Sequence, residues 1–468
     1  MSREPLIHDG ISDASHDVQT LANRVTHEID SVPPAARLAA LGLQHVLVMY
    51  ANAVAVPLII GAALKLPKDQ LSLLISADLF ACGIATLIQV IGIGSVGIRL
   101  PIVMGVTAVA IQPMLAIAAM PDIGLLGIYG AVIAGGLFGL LIIPFVGRML
   151  PYFPPVVTGS ILTMIGIALI RVAAAWTGGG TGASDFGSMR SLAIAALVLG
   201  TTLATIRFGR GFLANVAVLV GIVVGYIVTS ALGLIDFDGL ASEPWFRVVR
   251  PLQFGLPTFH LVPCLIMCFV MVIVFIEATG IFLALGSVLG RPISTDDLKR
   301  GLRADAIGTL IGGAFNTFPY LSYSQNVGLV SLTGVRSRWV CAAAGVIMLA
   351  MGLVPKLAFL AASVPPSVLG GAGIVMFGMV ASTGIKILAG VDYNARRNDA
   401  LIIAVSLGLG LIPIVQPQLL KSLPAALQPV VNDPILLTAV VALLLNAAFN
   451  HPWLAASANG RVMRDRDG

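Results

Sequence analysis

A ten-residue segment from Gln325 to Gly334, QNVGLVSLTG, carries the side chains that most strongly suggest ligand chemistry in this sequence. It places two amides, two hydroxyls and a helix-breaking glycine inside a strongly apolar stretch. Polar groups without partners are costly in such surroundings, so polar side chains kept there usually have a ligand. The alternative is a polar turn between two buried helices. Other polar residues in apolar runs decide between these interpretations.

Glu277 lies near the middle of the longest apolar run, CFVMVIVFIEATGIFLALG. A carboxylate at such a position must be protonated, paired or in contact with a water-filled cavity. It could therefore bind a proton and a substrate N–H group in turn. The alternative is a structural hydrogen bond to a neighbouring helix.

Three further ionisable residues lie in or beside apolar runs. His45, in LGLQHVLVMYANAV, titrates near neutral pH and could relay protons or hold Glu277 and Asp305 in place, although an intramembrane histidine is as often a structural hydrogen bonder. Asp305 follows a basic run and could instead cap a helix. Asp78 is a weaker candidate because it lies only a few residues into its run.

Tyr323 stands two residues before Gln325 in a chain with few aromatic residues. It could present a ring face to a flat ligand while Gln325 contacts the ligand's edge; the alternative is a core or interfacial tyrosine. Together with Glu277 and Asn326, these residues suggest a planar, nitrogen-rich, neutral or weakly acidic solute, because a bidentate amide also reads base edges. The group contains no cation to hold a phosphate or sulfate.

Composition places these residues in a polytopic membrane protein. Of 468 residues, 57% are hydrophobic and 10% are charged, whereas about a quarter of a soluble domain is charged. Apolar runs of roughly 20 residues, long enough to cross a lipid bilayer, recur nearly to the C-terminus. The net charge of +5 follows from membrane topology and implies no nucleic-acid partner.

The sequence predicts neither an enzyme nor a cofactor. The four cysteines lie in apolar runs, and we interpret them as small buried apolar residues; Cys264 and Cys268 lack a second ligand pair for a metal site. No Walker motif occurs, so ATP is not the direct energy source. A membrane-embedded enzyme remains an alternative, but a convincing nucleophile–base pair or metal cluster is lacking.

The apolar runs divide into fourteen predicted membrane segments, some of them short. Their approximate spans are 38–64, 71–94, 100–118, 124–147, 154–171, 191–206, 212–234, 258–289, 298–316, 317–335, 340–362, 367–389, 399–420 and 433–450. Basic residues are concentrated in both tails and in the loops after even-numbered segments, which predicts that both termini are cytoplasmic. The first 37 residues read as a polar tail and not as a cleavable signal peptide.

Segments 3 and 10 look alike. Ser95–Pro113 and Phe315–Gly334 are short apolar stretches, each broken by proline and glycine and almost free of charge. Interrupted segments at corresponding positions of two halves indicate a transporter binding site, because unwound backbone survives at membrane depth only where it lines a cavity. We therefore predict an inverted repeat of seven plus seven segments. The alternative is two ordinary proline-kinked helices.

With these residues in view, the chain resembles the nucleobase-ascorbate transporter family over residues 38–450. Its ten-residue signature matches Gln325, Asn326, Gly328, Thr333 and Gly334. Further similar stretches are GLQHVLVMY at 42–50, RLPIVMG at 99–105 and FIEATGIFLALGSVLGR at 275–291. The bacterial uric acid permeases, which are described as proton symporters, look most similar.

The resemblance implies roles for several residues. Gln325 is typical of purine members that carry xanthine or urate, whereas the uracil branch typically has Glu there. Glu277 and Gln325 would hydrogen-bond the purine, and Asn326 would order the signature loop. His45 and Asp305 would support proton coupling.

Thr107 and Ala108 concern substrate range. Thr107 falls where the family varies residue type with substrate preference. The next position often holds an aromatic residue whose backbone meets the ligand, but here it is Ala108. Backbone contact survives this change, whereas one stacking face would be lost.

The family resemblance also implies an all-α homodimer with two kinds of domain. The core domain would comprise 38–147 and 258–362, the gate domain 148–257 and 363–450, and cytoplasmic tails 1–37 and 451–468. Facing short strands would precede half-helices 3 and 10. The expected function is import of uric acid, with xanthine as the next candidate, by proton symport across a bacterial inner membrane. Uracil, another nucleobase or an anion on the same scaffold, and a passive channel, remain alternatives.

Overall fold

The computed structural model describes residues 27–120, 123–149, 152–394, 396–420, 422–424 and 427–450. The predicted C-terminal tail, 451–468, and most of the N-terminal tail lie outside these residues. The described chain is mostly helical, as expected for backbone that must satisfy its own hydrogen bonds in lipid.

The first half contains seven segments, of which the third is a strand followed by a half-helix. Their bounds are α1 Ala35–Ala63, α2 Lys68–Ile91, β1 Met104–Val106 with α3 Ile111–Ala118, α4 Gly124–Ile142, α5 Pro155–Thr177, α6 Met189–Phe208 and α7 Ala217–Ala231. A 3-10 turn, Ala108–Ala110, joins β1 to α3. Another, Ile143–Phe145, continues α4 into the four-residue helix Val146–Met149, and a further short helix spans Phe212–Asn215.

The second half repeats this order. Its elements are α8 Leu261–Leu289, α9 Thr295–Ala314, β2 Tyr320–Ser322 with α10 Ser324–Thr333, α11 Arg338–Gly352, α12 Pro355–Ala362, α13 Pro366–Ala389, α14 Asn398–Val415, the short helix Gln428–Val431 and α15 Pro434–Asn450. Segment 11, predicted as one span over 340–362, instead bends by 82° between α11 and α12. Pro355 begins α12 and has no N–H to continue the preceding helix.

Helix packing follows the inverted repeat. In the first half α1 and α2 both pack against α11, and the equivalent pair from the second half, α8 and α9, packs against α4. The contact between α6 and α7 is repeated by α14 and α15, while α5 packs against its own equivalent, α13. Each contact thus recurs seven segments later, which confirms the predicted seven-plus-seven architecture.

The same contacts sort the segments into two groups. Segments 1–4 pack mainly with segments 8–11, and segments 5–7 pack mainly with segments 12–14. In the second group small residues bring α5 and α13 together: a Cβ added at Gly384 would lie 2.3 Å from the Thr163 nitrogen. A Cβ at Gly166 would lie 2.3 Å from the Ala381 nitrogen. Close backbone approach through small residues is typical of packing between membrane helices.

Among the described residues, eight helices are long and apolar enough to cross a membrane, or nine if the bent pair counts as one. Their apolar faces meet lipid as well as protein, which explains one difference from expectation. Cys82 and Cys341 are buried, but Cys264 and Cys268 on α8 are only partly buried. An apolar run in a membrane helix does not by itself say which residues face the interior.

The short strands expected at broken segments 3 and 10 are present, and the structure shows that they pair antiparallel. Met104 pairs with Ser322, Gly105 with Leu321 and Val106 with Tyr320. The residue after each strand also bonds to the residue before the other strand. The Thr107 N–H donates to the Pro319 carbonyl, and the Tyr323 N–H donates to the Val103 carbonyl, each at 2.9 Å. The unwound backbone is thereby satisfied inside the protein, as membrane depth requires.

Candidate functional site

Two half-helices begin where the strands end. Thr107 follows β1, and its Oγ1 accepts from the Val109 N–H at 3.2 Å. Tyr323 follows β2 and precedes α10, whose first turn has no side-chain cap. The N–H groups of an uncapped first turn point at whatever lies beyond the helix and favour negative charge. The strand crossing therefore offers backbone donors to a ligand.

Gln325 lies in the first turn of α10, partly exposed. Its Oε1 accepts weakly from Ser324 Oγ at 3.4 Å. Among the described residues, its amide nitrogen has no protein partner. Gln325 thus retains hydrogen-bonding capacity for a ligand, and the exposed Ser324 beside it is a candidate that the sequence analysis missed.

Glu277 lies on α8, which packs against the 3-10 turn, β2 and α10. The carboxylate atom Oε2 is buried and has no hydrogen-bond partner among the described residues. The same carboxylate is close enough to Asp305 to interact with it electrostatically. An unsatisfied buried oxygen requires an explanation, and a proton together with a ligand N–H group would supply one.

Thr107 and Ala108 lie on the opposite side of the strand crossing from Tyr323 and Ser324. Thr107 is fully buried, while Ala108 is partly exposed at the start of the 3-10 turn that contacts α8. The Ala108 carbonyl accepts from the Ile111 N–H, so this backbone acceptor is used within the turn. The structure therefore keeps Thr107 in the scaffold, and Ala108 is the partly exposed residue of the two.

Asn326 and His45 form a buried pair that joins α1 to α10. Asn326 Nδ2 lies 2.9 Å from His45 Nδ1 and 3.5 Å from Cys341 Sγ. Because the amide nitrogen only donates, Nδ1 accepts and the imidazole carries its proton on Nε2. This contact favours the structural alternative for His45, and it gives Asn326 a means of ordering α10.

Asp305 lies beneath β2. Its Oδ1 accepts from Ser322 Oγ at 3.1 Å and from Gln89 Nε2 at 3.2 Å, while Oδ2 has no partner among the described residues. The helix-cap alternative for Asp305 is wrong, because α9 is capped by a reciprocal pair between Ser294 and Asp297. Asp305 lies in the third turn, where burial against the strand replaces a capping role.

Asp78 holds the other end of β2. Its Oδ1 accepts from the Tyr320 hydroxyl at 2.8 Å, and Tyr320 OH also lies 3.0 Å from Thr317 Oγ1. Asp78 is fully buried. Two carboxylates from α2 and α9 thus support a single strand, through Tyr320 and Ser322 respectively.

Tyr323 spans the strand pair. Its hydroxyl donates to the Val106 carbonyl at 2.9 Å, and its ring covers Gly105 so closely that an added Cβ would lie 2.4 Å from Cε2. Only 6% of Tyr323 is exposed. These contacts favour a core tyrosine over a stacking platform for a ligand.

Several supporting residues escaped the sequence analysis. Thr86 Oγ1 accepts from the Met104 N–H at 2.9 Å, and Thr309 Oγ1 accepts from the Tyr320 N–H at 3.1 Å. These threonines occupy equivalent positions on α2 and α9 and hold the first residue of each strand. Comparing the two halves position by position would have revealed them as a repeated pair.

The described residues contain no group of three or more His, Cys, Asp or Glu side chains that could hold a metal ion. Polar groups around the strand crossing instead offer hydrogen bonds: a carboxylate oxygen, an amide and backbone N–H groups. Such a set suits a flat solute with several edge donors and acceptors.

Comparison with known proteins agrees with this chemistry. Residues 36–419 match the sequence model Xan_ur_permease, described as a permease family. The uric acid transporter UacT of Escherichia coli K12 is 50% identical over 429 residues, covering 92% of this chain and 89% of that protein. The xanthine permease of Bacillus subtilis 168 is 43% identical over 410 residues. That alignment covers 88% of this chain and 93% of the permease.

Solved structures share the fold at low sequence identity. The transmembrane domain of the cyanobacterial bicarbonate transporter BicA superposes with a TM-score of 0.57 at 17% identity, covering 89% of this chain and 98% of that domain. Murine Slc26a9, an anion transporter in an inward-facing state, superposes with a TM-score of 0.62 at 11% identity. The match covers 95% of this chain and 75% of that chain. The family match over residues 36–419 and the relatives at 50% and 43% identity show that the chain belongs to the nucleobase-ascorbate transporter family of multi-pass membrane transporters.

Proposed function

We propose that this protein imports uric acid, and xanthine as a second substrate, by proton symport. The observation that carries the proposal is the buried, unpartnered Oε2 of Glu277, on a helix that packs against the α10 half-helix of Gln325. Relatives at 50% and 43% identity are a uric acid transporter and a xanthine permease, which supports nucleobase transport. Gln325 presents an amide, which can donate and accept along a purine edge.

The coupling proton would bind at Glu277. A proton on this carboxylate would give Oε2 the partner that it lacks among the described residues, so binding a proton prepares the site to receive an uncharged or weakly acidic purine. Asp305 would assist through electrostatic interaction with Glu277, while the Asn326–His45 pair would keep α10 in place. Release of purine and proton on the opposite side completes one cycle.

Movement would occur between two domains. The proposed core comprises 38–147 and 258–362 and contains the strand crossing; the proposed gate comprises 148–257 and 363–450. The preference of each segment group for its own members supports this division. The protein would be a homodimer in a bacterial inner membrane, with both termini on the cytoplasmic side.

Uptake of radiolabelled urate tests the proposal. Cells or proteoliposomes containing the protein should accumulate urate, and unlabelled urate and xanthine should compete better than uracil or sulfate. A proton ionophore should abolish accumulation, whereas replacing sodium with potassium should not. The purified protein should leave urate chemically unchanged.

The alternatives give different results. If urate neither enters nor competes, the urate assignment is wrong, and uptake of uracil or an anion would identify another solute on this scaffold. If accumulation survives the ionophore, a different driving ion operates. Equilibration without accumulation in untreated cells would identify a passive channel.

A further inference from the structure

A large cavity lies between the two groups of segments, away from the strand crossing. Its volume is about 1680 Å³. One wall contains the end of α1, the end of α3 and the start of α8; the other contains the end of α5 and the starts of α13 and α15. Because α1 ends here, the cavity opens on the face opposite the N-terminal end of α1. In the proposed topology this is the extracytoplasmic face, and we refer to the cavity as the outer vestibule.

The outer vestibule adjoins the proposed binding site through α3. Gln112 lines it and stands four residues after Ala108, one helical turn from the strand crossing. The Gln112 amide donates to the Ala168 carbonyl of α5 at 3.4 Å, so α3 and α5 meet at this point. Neither Glu277 nor Gln325 lines the vestibule. A solute moving from the vestibule to the strand crossing would pass this contact.

Among the described residues that line the vestibule, the exposed charges are cationic. Lys65 and Arg171 line it, both are exposed, and neither has an ion pair or side-chain hydrogen bond among the described residues. Its carboxylate, Asp433, is 2% exposed, and Oδ1 accepts from the N–H groups of Ile435 and Leu436 at 2.8 and 2.9 Å. The positive charges therefore face water, whereas the negative charge is turned into the start of α15.

We propose that the outer vestibule is an access site that attracts the purine as an anion, with Lys65 and Arg171 supplying the attraction. This inference rests on the proposed function and names the charge state of its substrate. A cleft lined by one sign of charge with low-dielectric walls concentrates ions of the opposite sign. Among the described residues, the strand crossing offers hydrogen bonds but no such cation. The vestibule would therefore select the solute by charge, and the strand crossing would select it by shape and hydrogen bonding. Urate is a monoanion in mildly acidic medium, whereas xanthine is uncharged there, so the vestibule favours urate.

Arg171→Gln tests the vestibule. In mildly acidic medium of low ionic strength, removal of one cation at vestibule distances should raise the KM for urate about two- to threefold. The maximal rate and the KM for xanthine should not change. Arg171→Lys should retain the wild-type KM, and added salt should raise the KM for urate more strongly in the wild type than in Arg171→Gln, which keeps Lys65. Arg250→Gln, on the same face but outside the vestibule lining, is the matched control.

Lys65→Gln provides a second variant if Arg171→Gln fails to reach the membrane, and it should show the same effect on urate alone. The proposal is overturned if both variants keep the wild-type KM for urate. It is also overturned if xanthine is affected equally or if Arg250→Gln gives the same rise. Failure of the proposed function looks different, since the wild-type protein itself would then take up no urate.

Discussion

Gly105→Ala offers the sharpest test of how the strand crossing supports the site. The alanine Cβ would lie 2.4 Å from Cε2, 2.6 Å from Cζ and 2.8 Å from the hydroxyl oxygen of Tyr323. The ring has little freedom to withdraw, because its hydroxyl is held by the Val106 carbonyl and its N–H by the Val103 carbonyl. Tyr323 must therefore move, and α10 begins at the next residue.

The size of the effect follows from these contacts. Overpacking of this kind costs about 1–3 kcal/mol, and loss of the tyrosine hydrogen bond adds about 1 kcal/mol. A total of about 2–4 kcal/mol lowers the equilibrium constant between the intact and the displaced strand crossing by roughly 30-fold to several hundredfold, at 1.4 kcal/mol per tenfold. We expect the KM for urate to rise at least tenfold.

Urate uptake kinetics and thermal unfolding in detergent measure this outcome, with membrane levels determined for each variant. Gly200→Ala on α6 is the matched control, because an added Cβ there meets no atom within 4 Å. In a Tyr323→Ala background the Gly105→Ala change should cost little, since the clashing ring is absent. A Gly105→Ala protein with wild-type KM and thermal stability would refute the reasoning.

Three further changes test other parts of the molecule. Glu277→Gln should abolish proton-driven urate accumulation by removing the protonatable group, and undiminished uptake would contradict its role. Gln325→Glu nearly conserves volume, so competition assays should show altered purine selectivity with normal membrane insertion; unchanged selectivity would place Gln325 outside the site. Arg338→Gln should lower thermal stability far more than Asp30→Asn, because Arg338 also donates to two carbonyls at the end of α2, at 2.8 and 3.0 Å, whereas an exposed ion pair alone contributes about 0–1 kcal/mol. Equal losses in these two variants would show that the ion pair dominates.

Local features of the sequence were sufficient to predict the architecture. Hydropathy marked the apolar runs, and proline and glycine marked the broken segments 3 and 10, because both signals act through the residue's own backbone and its immediate neighbours. The inverted repeat followed from the spacing of those two segments. The break in segment 11 was missed, although Pro355 was visible, because a proline can kink a membrane helix without ending it.

The candidate site could be predicted in its members but not in its contacts. Glu277 and Gln325 stood out because polar groups are rare in apolar runs, and in the structure both retain unpartnered hydrogen-bonding atoms. For Asp305 the sequence left two interpretations open, proton coupling and a helix cap, and only its contacts in the fold exclude the cap. Its partner Gln89 lies 216 residues away, on a helix of the other half.

The sequence by itself determined that this chain crosses a membrane, breaks its helices at two related places and carries the ten-residue signature of its family, since each property depends on short stretches of residues. Only the tertiary structure decided which polar groups form hydrogen bonds within the protein and which remain free to bind a ligand. Tyr323 is held by Val106, 217 residues away, and Asn326 meets His45, 281 residues away. The physical reason is the inverted repeat itself, which brings the two halves together at the strand crossing and pairs side chains that no local pattern relates.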